Sequence, residues 1–383
     1  MLPGVSKPRH AYFIDTGGNA KMRIKKATKR YEAWLGDYLT LVQADLALKH
    51  SRMAEAPFPF LRATFYRWAQ LWPETCPELA KGPRTLAVGD LHVENFGTWR
   101  DVEGRLIWGV NDFDEAFPLS YTNDLVRLAV SAQLAISANH LALTTPVACN
   151  SILAGYREGL EAGGKPFVLE EDHKWLREVA TGELRDPVHF WGKMNALPTV
   201  RGEIPRGARK ALEALLPERG LIYRVAHRVA GLGSLGRERY VAIVDRGGAR
   251  IAREAKAMAP SACVWANEGK GPEKVFYEDI ISKAARVLDP FVHLRGRWIV
   301  RRLAPHCCHI ELAALPEKRD EERLLHAMGF ETANIHLGSR QAVKAIRRDL
   351  GKRKADWLPE AVHAMTKAVL KDWEEWKETG MGK

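Results

Sequence analysis

The sequence predicts an α+β protein of two lobes, with a helical region wrapped around a smaller β-rich one. Three observations predict it. Apolar residues recur at helical spacing through most of residues 21–216 and again towards the C-terminus. Residues 222–256 are rich in Val, Ile, Tyr and Gly and read as three strands joined by two turns. Two short apolar runs, "RTLAVGD" at 84–90 and "GRLIWGVNDFD" at 104–114, each end in an acidic loop.

Taken in order, residues 1–20 read as a loose arm. Ile24, Tyr31, Trp34, Leu35, Tyr38, Leu39, Leu41 and Val42 set a helical stripe over 21–49. "PFPF" at 57–60 breaks the chain, and "LRATFYRWAQLW" restarts a helix. Strands follow at 84–90 and 104–114. From Thr122 to about Leu216 the pattern is mostly helical. After the three strands of 222–256 come a helix at 275–288, a strand at 297–303, a helix at 320–338 closed by Gly338, and an amphipathic helix at 357–376. The predicted division is an arm (1–20), a helical lobe carrying the acidic loops (21–216), a β-rich lobe (217–316) and helices returning to the first lobe (317–383).

The composition is that of an ordinary globular protein: 383 residues, 46% hydrophobic and 27% charged. Lys and Arg number 58 against 47 Asp and Glu, a net charge of +11, which favours acidic partners such as phosphorylated small molecules or nucleic acid. Two runs, "KMRIKKATKR" (21–30) and "RRDLGKRK" (347–354), concentrate that charge. Neither interleaves aromatics as a base-stacking surface does, so they read first as solvated helix faces. The N-terminus lacks the apolar core of a signal peptide. The most apolar stretch, 125–143, contains Arg127 and reads as a buried helix, not a membrane span. Five scattered cysteines suggest no disulfide framework, and the expectation is a cytoplasmic protein with free thiols.

The acidic loops carry the chemistry. "VGDLHVENFG" (88–97) places Asp90 five residues before Asn95, with His92 between; "VNDFDEA" (110–116) supplies Asp112 and Asp114. Two like charges about 4 Å apart repel by roughly 4 kcal/mol at an effective dielectric of 20, so such a cluster needs a cation or a shared proton. Asn95, Asp112 and Asp114 form an oxygen-rich set suited to Mg²⁺, whereas His92 alone makes no zinc site. In phosphoryl transfer a loop Asp accepts the proton of the attacking hydroxyl, an Asn five residues on holds one metal, and an Asp on a later loop holds another. Asp124, in "YTNDLVRLAVS", either caps the helix it begins or hydrogen-bonds the backbone of the first loop.

Gly231, Gly233 and Gly236 spell G-x-G-x-x-G, with Ser234 inside it. A dinucleotide fold requires a helix next; here "RERYVAIVD" is β-like, and strand–glycines–strand is the phosphate-covering hairpin of kinases. The following strand is expected to bring a cation to the phosphates. Arg253 alternates with Ile251 on one face and takes the expected lysine position, with Lys256 three residues on; Glu278 or Glu254 is the candidate acidic partner.

These motifs resemble two families. "VGDLHVENFG", "VNDFDEA" and "NDLVRLAVS" resemble the aminoglycoside-phosphotransferase and choline-kinase branch of the protein-kinase-like fold. The chain from about Ser51 to Gly338 is more closely similar to the bacterial "domain of unknown function 2252" family, on "FPFLRATFYRW", "GDLHVENFG", "NDFDEAFPLSYTNDLVRL", "GLGSLGRERYVAIV", "REAKAMAPSA" and "WIVRRL". The kinase-like resemblance implies a two-lobed fold using ATP and Mg²⁺. Asp90 would be the base in a loop shared with His92, Asn95 and Asp112 metal ligands, and Asp114 an auxiliary acid at the metal. Gly231, Gly233, Ser234 and Gly236 would cover the phosphates. Kinases place the glycine loop before the catalytic loop, so this chain reads as a circular permutation, and "LHAMGFETANIHLG" (325–338) would lie beside a catalytic loop encoded far upstream.

The leading expectation is therefore phosphoryl transfer from ATP to a hydroxyl of a small molecule or protein. Three other readings fit the sequence: a nucleotide-binding regulator without turnover, a nucleotidyltransferase, and a nucleic-acid-binding protein. "HCCH" (306–309) lacks the spacing of a zinc motif, and His336 reads as structural.

Overall fold

The structure is a computed structural model and describes residues 22–180, 186–307 and 320–382. The predicted arm, and Cys308 and His309 of "HCCH", lie outside the described residues. The fold is mixed α+β.

The chain begins with α1 (Ile24–Gly36) and α2 (Gln43–Glu55), where the sequence predicts one helix over 21–49. The break has a tertiary cause. Leu41 bridges to Arg237 and the Val42 N–H donates to the Gly236 carbonyl, so the intervening segment is drawn onto the glycine loop. "PFPF" does not break the chain but opens α3 (Pro57–Ala63), with Pro57 in the first turn, where a missing N–H costs nothing. Then come α4 (Phe65–Thr75) and α5 (Pro77–Ala80).

Four short strands follow: β1 (Arg84–Ala87), β2 (Phe96–Arg100), β3 (Leu106–Val110) and β4 (Phe117–Ser120). β1 pairs antiparallel with β4, and β2–β3 form a hairpin later joined by β5. The two acidic loops are the β1–β2 and β3–β4 connections, so the two pairings hold them side by side. Helix α6 (Tyr121–Ser137) is buried over most of its length, which explains its apolar composition. No helix among the described residues is long and apolar enough to cross a membrane. After it run α7 (Thr145–Ala162), β5 (Phe167–Val168), α8 (Lys174–Ala180), α9 (Pro187–Ala196) and α10 (Arg206–Glu213).

The β-rich segment forms from β6 (Arg224–His227), β7 (Arg239–Arg246) and β8 (Ala249–Ala257), as the sequence predicts. Helices α11 (Ala262–Ala266) and α12 (Tyr277–Lys283) separate it from β9 (His293–Arg295) and β10 (Trp298–Leu303). Together these strands make a five-stranded antiparallel sheet of order β6-β7-β8-β10-β9. The pleat divides the sheet's residues cleanly. One face carries Ala242, Ala255, Val300 and Trp298, which join the core with Ala208, Ala211 and Leu212 of α10. The other is apolar at one end, where Ala226, Val241, Ile243, Ala252 and Leu303 pack with Met194 of α9. At its other end that face is ionic, with Arg239, Glu254, Lys256 and Arg301.

The chain returns through α13 (Glu321–His336), α14 (Arg340–Lys352) and α15 (Trp357–Glu378). Helix α13 packs along α7 and reaches the start of β1, where the Thr85 hydroxyl donates to the His336 carbonyl at 3.4 Å.

Candidate functional site

The first acidic loop is fixed by α6. Asp124 lies fully buried in the first turn of that helix and makes no side-chain cap. Its carboxylate instead accepts the N–H groups of Val88 at 2.7 Å and Gly89 at 3.0 Å. His336 Nε2 donates to the same carboxylate at 3.0 Å, and the Tyr156 hydroxyl lies 2.8 Å from His336 Nδ1. Of the two roles the sequence left open for Asp124, backbone anchoring is the one observed. His336 is the last residue of α13, and it anchors the loop through Asp124.

Asp90 projects beyond this anchor. Its Oδ1 accepts from Arg127 Nε at 2.9 Å and also from Arg127 Nη2. The guanidinium has no solvent exposure; it donates to the Leu61 carbonyl and lies over the rings of Phe65 and Trp68. Burial raises the Asp90 pKa above the usual carboxylate range, and Arg127 opposes that rise. His92 is buried edge-on to Phe58, and its Nδ1 accepts the Glu94 N–H at 3.2 Å. Asn95 ties the two loops together. Its amide donates to the carbonyls of Asp90 and Asp112, both at 3.1 Å, and its Oδ1 accepts the Asp112 N–H at 3.0 Å.

In the second loop Asp112 and Asp114 share one cation. Lys256 Nζ lies 3.2 Å from Asp112 Oδ2 and 2.6 Å from Asp114 Oδ2. Burial and the neighbouring Asp112 raise the Asp114 pKa to about 6. Glu115, the next acid, is bound to Arg237 at 3.0 Å and accepts from Ser261 and the Ala262 N–H. Asp114 Oδ1 is buried without a hydrogen-bond partner.

The glycine loop closes over Asp90. Residues 232–234 form a short 3₁₀ turn between β6 and β7. A Cβ on Gly233 would stand 3.0 Å from the Arg62 carbonyl and 3.4 Å from Asp90 Oδ2, so glycine allows this close approach without displacing either neighbour. Gly236 has a φ of +94°, and a side chain there would collide with Leu46. Lys49 of α2 donates to the Gly233 carbonyl at 3.1 Å; its burial lowers its pKa to about 8. Ser234 points back into the sheet and accepts from Arg239 at 2.7 Å, while Gly231 has its Cα beside that same Arg239–Ser234 contact.

The structure places Arg253 elsewhere than the sequence reading did. Strand parity puts residues 254 and 256 on one face of β8 and 253 on the other. Arg253 donates to the Leu215 carbonyl and lies over Phe291, away from the acidic loops. The cation of β8 that reaches the loops is Lys256. Glu278 is also remote from that lysine, accepting the Leu294 N–H at 2.8 Å. Glu254, fully buried, is held by arginines: Arg228, Arg239 at 3.0 Å and Arg301 at 2.9 Å. Burial alone would raise its pKa, but the three guanidiniums hold it well below the usual range.

Sequence reading did not name Arg127, Arg237 or this arginine cluster as site residues. The signal for Arg127 was present: one arginine in an otherwise apolar helix must bring a partner into the core.

Among the described residues no group of three His, Cys, Asp or Glu side chains converges as a metal site. Asp112 and Asp114 nevertheless suit a hard cation. Both are carboxylates on one loop, and the orphaned Asp114 Oδ1 is an acceptor in need of a donor or an ion.

The class these features define is a mixed α+β protein with paired acidic loops under a glycine-rich hairpin. Residues 41–185 match the model of a family described as "Uncharacterized protein conserved in bacteria (DUF2252)". The matched segment carries Asp90, Asn95, Asp112, Asp114, Asp124 and Arg127; the glycine loop and β8 lie beyond it. No curated protein and no solved structure matches the chain.

Proposed function

We propose that the protein is an ATP- and Mg²⁺-dependent phosphotransferase with a circularly permuted kinase-like arrangement, acting on a hydroxyl of a small molecule or protein. One observation carries the reading: a lysine from β8, the strand after the glycine hairpin, meets the two aspartates of the second acidic loop, while Gly233 lies against Asp90. A glycine hairpin, a strand lysine, a loop base and a separate acidic loop are the parts phosphoryl transfer uses.

In this reading Asp90 accepts the proton of the attacking hydroxyl. Arg127 fixes the carboxylate's direction and favours its ionised form against burial. Asn95 sets the distance between the Asp90 and Asp112 loops through its three hydrogen bonds. Asp112 and Asp114 would hold Mg²⁺, with the remaining Asn95 Oδ1 lone pair as a further donor. When bound, that ion supplies positive charge to the phosphate oxygens. The backbone of residues 231–236 covers the phosphates, and Asp124 with His336 keeps the Asp90 loop rigid. An arginine in the lysine position would favour a nucleotide binder without turnover, but the side chain that meets the acidic loops is Lys256, not Arg253.

The test is an acceptor screen with purified protein, Mg²⁺ and ATP, scored for both ADP and pyrophosphate. Acceptor-dependent ADP release that Asp90→Ala abolishes, with ATP binding retained, supports the assignment. Unchanged transfer in Asp90→Ala removes it. Pyrophosphate as the product assigns nucleotidyl transfer instead.

A further inference from the structure

On the sheet face nearest the acidic loops, one buried carboxylate is shared by three guanidiniums. Glu254 accepts from Arg239 Nη1 at 3.0 Å, from Arg301 Nε at 2.9 Å, and from Arg228 Nη1. Among the described residues, no other carboxylate lies within salt-bridge range of these three arginines. The cluster therefore has two positive charges in excess. Arg239 and Glu254 are buried, yet the side chains of Arg228 and Arg301 are 24% and 14% exposed.

A surplus buried charge is expensive unless an opposite charge lies near it, and here the surplus faces the Asp112 and Asp114 carboxylates at a distance rather than in contact. The cluster's position is also specific. Arg239 reaches from Glu254 to the Ser234 hydroxyl inside the glycine loop, and Arg228 lies three residues before Gly231. Arg239 and Lys256 are directly opposed in the β7–β8 register, as are Arg301 and Glu254 between β10 and β8. The surplus thus lies on the strand face under the glycine loop, one step along β8 from the lysine that meets Asp112.

We propose that Arg228 and Arg301, backed by Arg239, form a binding site for a phosphate chain that needs no divalent metal. Each guanidinium offers several donors in a planar fork, and Glu254 uses only part of them. Glu254 serves as the positioning residue: it aligns the three side chains without cancelling their charge. The site takes a polyanion such as a triphosphate, and the surplus offsets part of its charge. The nucleotide reading supplies the identity of that chain and nothing else in this inference.

The experiment is calorimetric titration of the full-length protein with inorganic tripolyphosphate in EDTA, repeated on Arg228→Gln, Arg301→Gln and Lys354→Gln. Arg228→Gln leaves two arginines on Glu254, so the carboxylate stays paired and the variant keeps its fold even if Arg301→Gln does not. Lys354 is exposed in the basic run of α14 and its following turn, and it controls for non-specific attraction to a protein of net charge +11. The expected result is saturable binding without metal, weakened about tenfold or more in Arg228→Gln, in line with the loss of a charge-assisted hydrogen bond, and unchanged in Lys354→Gln. No saturable binding, an unaffected Arg228→Gln, or an equal loss in Lys354→Gln overturns the proposal. The outcomes also separate it from phosphoryl transfer. Tripolyphosphate binding with no ATP turnover leaves the anion site and removes the kinase reading. Turnover by an Arg228→Gln variant with unchanged ATP affinity does the reverse.

Discussion

Removing Arg127 tests whether Asp90 is held as an ionised group inside the protein. The guanidinium is fully buried, and its Nε lies 2.9 Å from Asp90 Oδ1. At that separation and an effective dielectric of 20 the attraction is roughly 6 kcal/mol, an upper bound because desolvation of both groups opposes it. Breaking one side of a buried pair costs about 3–5 kcal/mol. Arg127→Met also forfeits the hydrogen bond to Leu61, so a loss of about 4 kcal/mol in unfolding free energy is expected at pH 7. Asp90→Asn keeps an acceptor for the guanidinium and is expected to cost less. The double variant removes both charges, and its loss should fall short of the summed single losses by about 2 kcal/mol or more. The assay is urea denaturation of the four proteins. The pH dependence has a definite sign. Asp90 binds its proton more tightly folded than unfolded, and loss of Arg127 increases that difference. The gap between wild type and Arg127→Met should therefore widen from pH 5 to pH 7. Single losses that add to within about 0.5 kcal/mol, or a gap that does not change with pH, refute the pairing as described.

Three further outcomes follow from the same geometry. Gly236→Ala forces a side chain onto a φ of +94° and into Leu46, and should cost about 1–3 kcal/mol of stability by strain and overpacking, read from thermal melting. Asp114 has its pKa raised to about 6 by burial and Asp112, so the native state binds the extra proton between about pH 4 and 6. Its contribution to stability falls as pH rises through that window, and Asp114→Asn should flatten this part of the urea-midpoint profile. Asp124→Ala leaves the Val88 and Gly89 N–H groups and His336 without their shared acceptor in a fully buried site, and a loss of about 3–5 kcal/mol is expected by denaturation, with the Asp90 loop gaining amide exchange.

The acidic loops were legible because local rules fix them. Gly-Asp after an apolar run marks a strand entering a turn, and two such strands place their loops at one end of a pair of small sheets. The glycine hairpin was legible for the same reason. What failed were choices that depend on the third dimension. Arg253 and Lys256 lie three residues apart, so a strand must send them to opposite faces, and only the packing of α9 and α10 decides which face is which. Composition favoured Arg253 because it alternates with Ile251; the sheet put that row against α10 and Phe291. "PFPF" was misread because proline marks both the end of one helix and the first turn of another. The break between α1 and α2 has only the weak local signal of Gly36-Asp37, and the backbone bonds that hold it come from a loop nearly two hundred residues away.

The charges around the site admit a coupled reading. Lys256 satisfies Asp112 and Asp114, but one orphaned oxygen remains on Asp114 and the arginines hold a surplus one step further along that face of β8. Neither half is neutral: Asp112, Asp114 and Glu115 face Lys256 and Arg237, which leaves that half negative, and the Glu254 cluster is positive. A phosphate chain lying on Arg228 and Arg301 offers Lys256 a second anionic partner. Any share of the ammonium it takes leaves Asp112 and Asp114 with less cation, and a divalent ion then binds them better. By reciprocity the ion would strengthen the hold on the phosphate chain, since its own charge falls on the same oxygens. The two proposals are thus physically linked through one lysine, whose Nζ is buried between them. Lys256→Met should then weaken metal-free tripolyphosphate binding less than it weakens the gain in affinity that Mg²⁺ gives, because the arginines remain while the exchange of partners is lost. Titrations of that variant with and without Mg²⁺ measure the difference, and an undiminished gain from Mg²⁺ would show that the lysine carries no coupling.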